Sequence, residues 1–490
     1  MRIDVTLRFL SLMNILRHFL IAASLLLLSA TAQARHGYKI QLHYTDLKDT
    51  TILLAKYFGK GLPTIYKVDS VRLNKKGEGT LSSKDTIVGG IYMLLPADMR
   101  SFNEILLNDG DDFQVEITSN GSPNKISFKN SPENDRFQEY QQYLIGYSEQ
   151  LNKVNSDLAA AKTKADSTPV LDRRQALGKE LVSYRKRLVE KYPGSLIASI
   201  LRALEVPDIP PAPKDANGKT DSAFAYRYMK AHYWDSFNFK DERLIHTPIY
   251  DAKLDEYFNN LVVPVPDSVN KEADLLLAQT RGQKQLFNYT LNWLTQFTER
   301  SKVMGMDAAF VHLVEKYYAR GDATWLPDTT VQKYLDRIAK IGPNMIGKIA
   351  PDLTMKTVDG KNIKLSDVKA KYTVLAFYSP DCGHCITEMP RLDSMYRSVL
   401  KAKGVKIFAV RTETPEQTWK DFIKKHHLED WINVWDPQNT SGFRSKYDVY
   451  STPVIYLLDE RKIIRGKRLD YLTVPKVIEM LEKKESATAP

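Results

Sequence analysis

The sequence predicts a multidomain chain: a β-rich block over 36–120, a mainly α-helical region over 131–345, and an α/β domain over 346–485. Three observations carry this. Short alternating apolar runs separated by Asp/Gly turns crowd the first block. Apolar residues at three- and four-residue steps fill the middle. Near the C-terminus an apolar, β-branched run leads into Cys382-Gly383-His384-Cys385 and then into a helical pattern. A length of 490 residues suits about three domains. With 43% hydrophobic and 26% charged residues, the composition is that of an ordinary globular protein.

The first 34 residues stand apart. Arg2, Arg8 and Arg17 precede an apolar run over 19–28, and Ala32-Gln33-Ala34 follows as a small-x-small cleavage site. This layout is that of a secretory signal peptide. Residues 13–34 alone keep it, so Met13 is an alternative start. The run is shorter than the ~20 residues a spanning helix needs. No cysteine follows it to carry a lipid. The expectation is export to the periplasm or cell envelope, where disulfides form. The formal net charge is +11, with Lys and Arg scattered rather than clustered. Together with export, that argues for a solvated basic surface and against a nucleic-acid partner.

Within 36–120, Gly37-Tyr38-Lys39-Ile40-Gln41-Leu42 alternates, and the apolar stretches at 51–57, 68–73, 90–95, 104–107 and 112–117 read as further strands. Turns fall at 74–79 and 108–111. Many short strands with such turns predict a small sandwich. Next, 133–166 carries Phe137, Tyr140, Leu144, Tyr147 and Leu151 at helical steps, and 172–191 and 195–204 read as helices. The proline run at 206–213 is a linker or exposed loop. An aromatic-rich stretch follows: Tyr226, Tyr228, Tyr233, Trp234, Phe237 and Phe239. At this spacing core packing is the expectation, with client-peptide binding the alternative. Helices are predicted at about 269–300, 306–319 and 329–340.

Only two cysteines occur in the chain, three apart. Tyr372-Thr373-Val374-Leu375-Ala376-Phe377-Tyr378 reads as a buried strand, broken by Ser379-Pro380-Asp381. From Gly383 the pattern turns helical, with Ile386, Met389, Leu392 and Met395 at three-residue steps. Cys382 therefore falls at a helix N-terminus, where the dipole and free N–H groups favour a thiolate. Zinc needs four N/S ligands, and only His384, His426 and His427 lie near. A purely structural disulfide over so short a loop closes little chain. The expectation is a redox-active dithiol, with no metal and no other cofactor.

Strand, CGHC, helix and the later Thr452-Pro453 before Val454-Ile455-Tyr456-Leu457-Leu458 resemble a thioredoxin fold. More narrowly, Cys382-x-x-Cys385-x-x-Glu388-x-Pro390 resembles the TlpA/ResA branch of extracytoplasmic thiol–disulfide oxidoreductases. So does the lead-in Ile346-Gly347-Lys348-Ile349-Ala350-Pro351-Asp352-Leu353, with Asp359-Gly360 and 363–367 behind it. The resemblance covers about 346–485. It implies a thioredoxin-like α/β domain in which Cys382 attacks and Cys385 resolves. Thr452 and a cis Pro453 would hold the substrate backbone, and Glu388 would manage the Cys385 proton. Client protein thiols and disulfides would be the substrates, with a membrane thiol-electron donor behind them. Thioredoxins carry a buried Asp where this chain has Ala376 and a Trp where it has Asp381. The Gly-His dipeptide resembles protein disulfide isomerases instead. A histidine there stabilises the thiolate and makes the couple more oxidising. The branch thus implies a reductase, and the dipeptide an oxidase or isomerase. A scaffold with a regulatory redox domain is the rival from another class. The peroxiredoxin pattern Pro-x-x-x-Thr-x-x-Cys is absent, with Leu375 in the proline position. The blocks ahead, including Tyr226-Arg227-Tyr228-Met229 and Phe310-Val311-His312-Leu313, resemble domains of unknown function paired with such redox domains in Bacteroidota envelope proteins.

Overall fold

The computed structural model describes residues 36–119, 124–214, 216–413 and 415–488. The expected signal peptide lies outside them. The chain divides into two compact units, one ending at Asp255 and the other beginning at Glu256.

The first unit opens with eight strands: β1 (Tyr38–Tyr44), β2 (Thr51–Lys56), β3 (Tyr66–Arg72), β4 (Glu78–Ser83), β5 (Gly90–Pro96), β6 (Asn103–Leu107), β7 (Asp111–Thr118) and β8 (Lys125–Lys129). They form two four-stranded sheets, ordered β4-β1-β7-β8 and β3-β2-β5-β6. Period-2 alternation aims Ile40 and Leu42 of β1, and Phe113 and Val115 of β7, at Ile52, Leu54, Tyr92 and Leu94 of the other sheet. The predicted sandwich is present. Its edge strands β4 and β8 escaped the pattern, because β8 has no buried residue and β4 only Leu81. Gly77, at φ +82°, makes the β3–β4 turn, where a Cβ would sit 2.0 Å from the Tyr44 carbonyl oxygen.

Helices α1 (Pro132–Ala160), α2 (Lys164–Lys191) and α3 (Leu196–Ala203) follow. Buried Asn134 of α1 accepts from the Leu106 N–H at 2.7 Å and donates to the Leu106 carbonyl at 2.8 Å, tying α1 to β6. Thr163 and Asp166 cap α2 reciprocally. The helix α4 (Phe224–His232) leads to a cluster of Trp234, Phe237, Phe239 and Tyr250, the last at the start of α5 (Ile249–Glu256). Most of the aromatic stretch is therefore core.

In the second unit come α6 (Pro266–Thr280), α7 (Lys284–Glu299), α8 (Asp307–Leu313) and α9 (Asp328–Ile341). The single helix expected over 269–300 is two, because Gly282 turns the chain at φ +94°. Then strands β9 (Thr354–Thr357), β10 (Asn362–Lys364), β11 (Tyr372–Tyr378), β12 (Val405–Arg411), β13 (Ile432–Trp435), β14 (Val454–Asp459) and β15 (Ile464–Lys467) form one sheet, ordered β10-β9-β13-β12-β11-β14-β15. β11 runs parallel to β12 and antiparallel to β14. α10 (Gly383–Met395), α11 (Glu416–Lys425) and α12 (Thr473–Thr488), with a short helical turn at Phe443–Lys446, complete the domain. Alternation along β11 sends Val374, Ala376 and Tyr378 into one core with α10, and Leu375 and Phe377 into the other.

Helices α8 and α9 bind this sheet through buried charge. Lys467 donates to Asp307 Oδ2 at 2.5 Å and to Asn344 Oδ1 at 2.7 Å. Asp448, 3% exposed, accepts from Arg337 and, at 2.9 Å, from Arg468. No helix among the described residues is long and apolar enough to cross a membrane.

Candidate active site

The site forms where β11 ends. Tyr378 closes the strand, Ser379-Pro380-Asp381 turns the chain, and Cys382 is the N-cap of α10. The turn is held by the Cys382 N–H bonding the Ser379 carbonyl at 3.0 Å. The first helical bond runs from the Ile386 N–H to the Cys382 carbonyl, also 3.0 Å. The Cys382 thiol donates to the Thr452 carbonyl at 3.1 Å. Thr452 and Pro453, joined by a cis bond, precede β14 and so face the dithiol from the neighbouring strand.

Both cysteines are free thiols, in opposed environments. Cys382 is half-buried. Burial works against its thiolate, but the Thr452 side chain, the Cys385 N–H and thiol, and the His384 N–H outweigh that and hold its pKa below the ordinary thiol value. Cys385 is fully buried against Met389 and Leu392. Burial is the main reason its pKa is pushed up to about 12. The Cys382 sulfur adds to the rise, and the Thr452 side chain and Ser379 oppose it.

His384 is exposed, and what reaches the Cys382 sulfur from it is its backbone N–H. Glu388, half-buried one turn beyond Cys385, accepts the Tyr471 N–H at 2.7 Å on Oε1. Its carboxylate therefore ties α10 to the segment between β15 and α12. The predicted residues Cys382, Cys385, Thr452 and Pro453 meet at one spot, and Glu388 stands on the adjoining turn. Among the described residues no group of three or more His, Cys, Asp or Glu side chains is arranged to hold a metal.

Sequence reasoning missed a polar group buried beneath the pair. Tyr378 is fully buried on the Cys385 side of the sheet, and its oxygen accepts Trp419 Nε1–H at 2.9 Å. Beside it, across the β11–β12 ladder, lies Arg411. That residue is 9% exposed, with its guanidinium 4.0 Å from the Trp435 ring and 5.0 Å from the Trp419 ring. Its one visible signal was a charge closing a strand whose only other charge is the exposed Lys406.

Fold and site define a thioredoxin-like domain with a paired-cysteine centre. The model of the AhpC/TSA family matches residues 346–467, and a domain of unknown function (DUF5106) matches 159–345. Bacillus thuringiensis thiol-disulfide oxidoreductase ResA is 30% identical over 137 residues, 28% of this chain and 75% of that protein. Bacillus cereus ResA is 32% identical over 115 residues, 24% of this chain and 64% of that protein. A solved domain of a possible thiol-disulfide isomerase from Cytophaga hutchinsonii is 37% identical, covering 29% of this chain and 97% of that one, with a TM-score of 0.28. Through its C-terminal domain the chain belongs to the ResA-like thiol–disulfide oxidoreductases.

Proposed function

We propose that the chain is an envelope reductase that exchanges its Cys382–Cys385 dithiol with disulfides of client proteins. The observation that supports this most is the opposed ionisation of the two thiols. Cys382 is accessible and biased toward thiolate, while Cys385 is buried and held protonated. In the first step the Cys382 thiolate attacks a client disulfide. A Cys382–client bond forms, the client S–S bond breaks, and one client sulfur leaves as thiolate. In the second step Cys385, as thiolate, attacks Cys382 Sγ. The intramolecular disulfide forms and the second client sulfur leaves. Two electrons pass to the client, and a membrane thiol donor restores the dithiol. The client backbone lies along Thr452-Pro453, whose carbonyl already accepts from Cys382. Glu388 manages the proton shed by Cys385.

The reverse direction, as oxidase or isomerase, draws support from the His384 N–H, which favours the reduced state. Alkylation and gel shift of the pair in intact cells separates the two. A mostly reduced pair, with covalent client complexes trapped by Cys385→Ser and released by dithiothreitol, is the expected result. A mostly oxidised pair reverses the direction. Equal trapping by Cys382→Ser and Cys385→Ser removes the assignment of roles.

A further inference from the structure

The second step of that exchange needs a thiolate in an apolar core, and on that reading of the site the structure contains a device for it. Thioredoxins have an acid under the buried cysteine, where this chain has Ala376. Two residues on, and therefore on the same face of β11, stands Tyr378. Trp419 donates into the Tyr378 oxygen at 2.9 Å, so the phenol's own hydrogen is left to donate elsewhere. Among the described residues that hydrogen has no acceptor. Burial pushes the Tyr378 phenol far above its ordinary pKa, with Cys385 a further contributor to the rise, so the group stays a donor.

Next to Tyr378 is Arg411, paired with it across the ladder. The guanidinium lies in the angle between Trp419 and Trp435, and its Nη1 is buried with no hydrogen-bond partner. The acid that acts on it, Glu416, makes no hydrogen bond to Nη1, and a buried charge so thinly paired is costly. It lowers the cost of a negative charge formed beside it. Tyr378, Cys385, Trp419 and Trp435 share one cluster with Cys382, and of these only the cysteines turn anionic during exchange.

We infer that Arg411, acting through the Tyr378 hydroxyl, is a positioning residue that stabilises the Cys385 thiolate as it forms. When Cys385 loses its proton, Tyr378 O–H turns toward the sulfur and Arg411 supplies the positive potential behind it. Cys385 then attacks Cys382 Sγ, and the departing sulfur takes up the negative charge. Other ionisable groups beside Cys385 are Cys382 and the exposed His384 on its own loop, and Glu388 one turn along α10, the last bound to the Tyr471 N–H. Glu416, at the start of α11, is the acid that acts on Arg411.

The test uses the reduced full chain and dithiobis(nitrobenzoate), which reads the two steps separately. Cys382 attack releases the first thionitrobenzoate, and Cys385 attack releases the second. Arg411→Met is expected to leave the first phase within about twofold. It slows the second about tenfold, with the pH profile of that phase moved up by about one unit. Arg411→Lys restores it, and Tyr378→Phe slows it as Arg411→Met does. A second phase unchanged in Arg411→Met, both phases slowed in parallel, or no rescue by Arg411→Lys overturns the inference. If Arg411→Met does not fold, Tyr378→Phe decides alone by the same two phases. A second phase that persists in Cys385→Ser refutes the resolving role itself, and this inference with it. A normal Cys385→Ser result beside an unchanged Arg411→Met overturns the inference alone.

Discussion

Chemical reactivity should separate the two cysteines by orders of magnitude. The perturbation is a pair of variants: Cys385→Ser leaves only Cys382 to react, and Cys382→Ser leaves only Cys385. A cysteine with a pKa of about 12 is thiolate to about one part in 10⁵ at neutral pH. An unperturbed thiol, near 8.5, is ionised to about 3%. Cys382 lies below the ordinary value, so it exceeds that fraction. The expected ratio of iodoacetamide rates is therefore about a thousandfold or more in favour of Cys382. Loss of the Cys382 sulfur relaxes Cys385 a little, but burial, the larger cause, remains. The pH dependence gives the sign. Cys385 alkylation should climb about tenfold per unit from about pH 7 to about pH 9 without levelling, and Cys382 should bend over at a lower pH than an ordinary thiol. Pseudo-first-order alkylation followed by intact mass reads both. Rates within about tenfold of each other, or a plateau for Cys385 in that range, would refute the environment described for it.

Three further outcomes follow from the same geometry. His384→Pro removes the N–H that reaches the Cys382 sulfur, and His384→Ala keeps it. In glutathione equilibria the Pro variant should become more reducing by tens of millivolts, ~30 mV being about 1.4 kcal/mol, and the Ala variant should move less. Glu388→Gln retains an acceptor for the Tyr471 N–H. It should keep the melting temperature and the mixed-disulfide step while slowing resolution, and a wild-type resolution rate would make Glu388 purely a tether. Asp448→Ala strips the buried carboxylate from Arg337 and Arg468. Chemical denaturation should report a loss of about 2–3 kcal/mol, at or below the usual cost of breaking a buried pair because both arginines reach solvent.

What the chain reveals in one dimension is what local pattern encodes. The strand before Cys382 announces itself because all seven residues of β11 are buried. The helix after it shows in Met389 and Leu392, both fully buried, although Ile386 on the same register is 46% exposed. Patterns too weak to read belong to elements held by partners rather than by their own apolar face, such as β8. A single glycine divided α6 from α7 where the apolar steps ran on unbroken. At the site, the cysteines and Thr452-Pro453 were legible as motifs. Arg411, Trp419 and Trp435 were not, since a charged strand end reads as solvent-facing until a ring 24 residues away closes over it. The partner of Glu388 is a backbone N–H 83 residues on, and a backbone group carries no signal in the side chains.

The lysine at the end of β15 has a consequence for how the chain can be cut. Its ammonium, 5% exposed, rests on Asp307 and Asn344, both of which precede residue 346. The two family matches meet at 345/346, but an excision there would take both acceptors from that ammonium and Arg337 from Asp448. An orphaned buried charge draws in water or loses its proton. The smallest piece that keeps the redox domain's own surface intact therefore starts upstream of α8, and the last helices of the preceding module are the outer wall of the oxidoreductase.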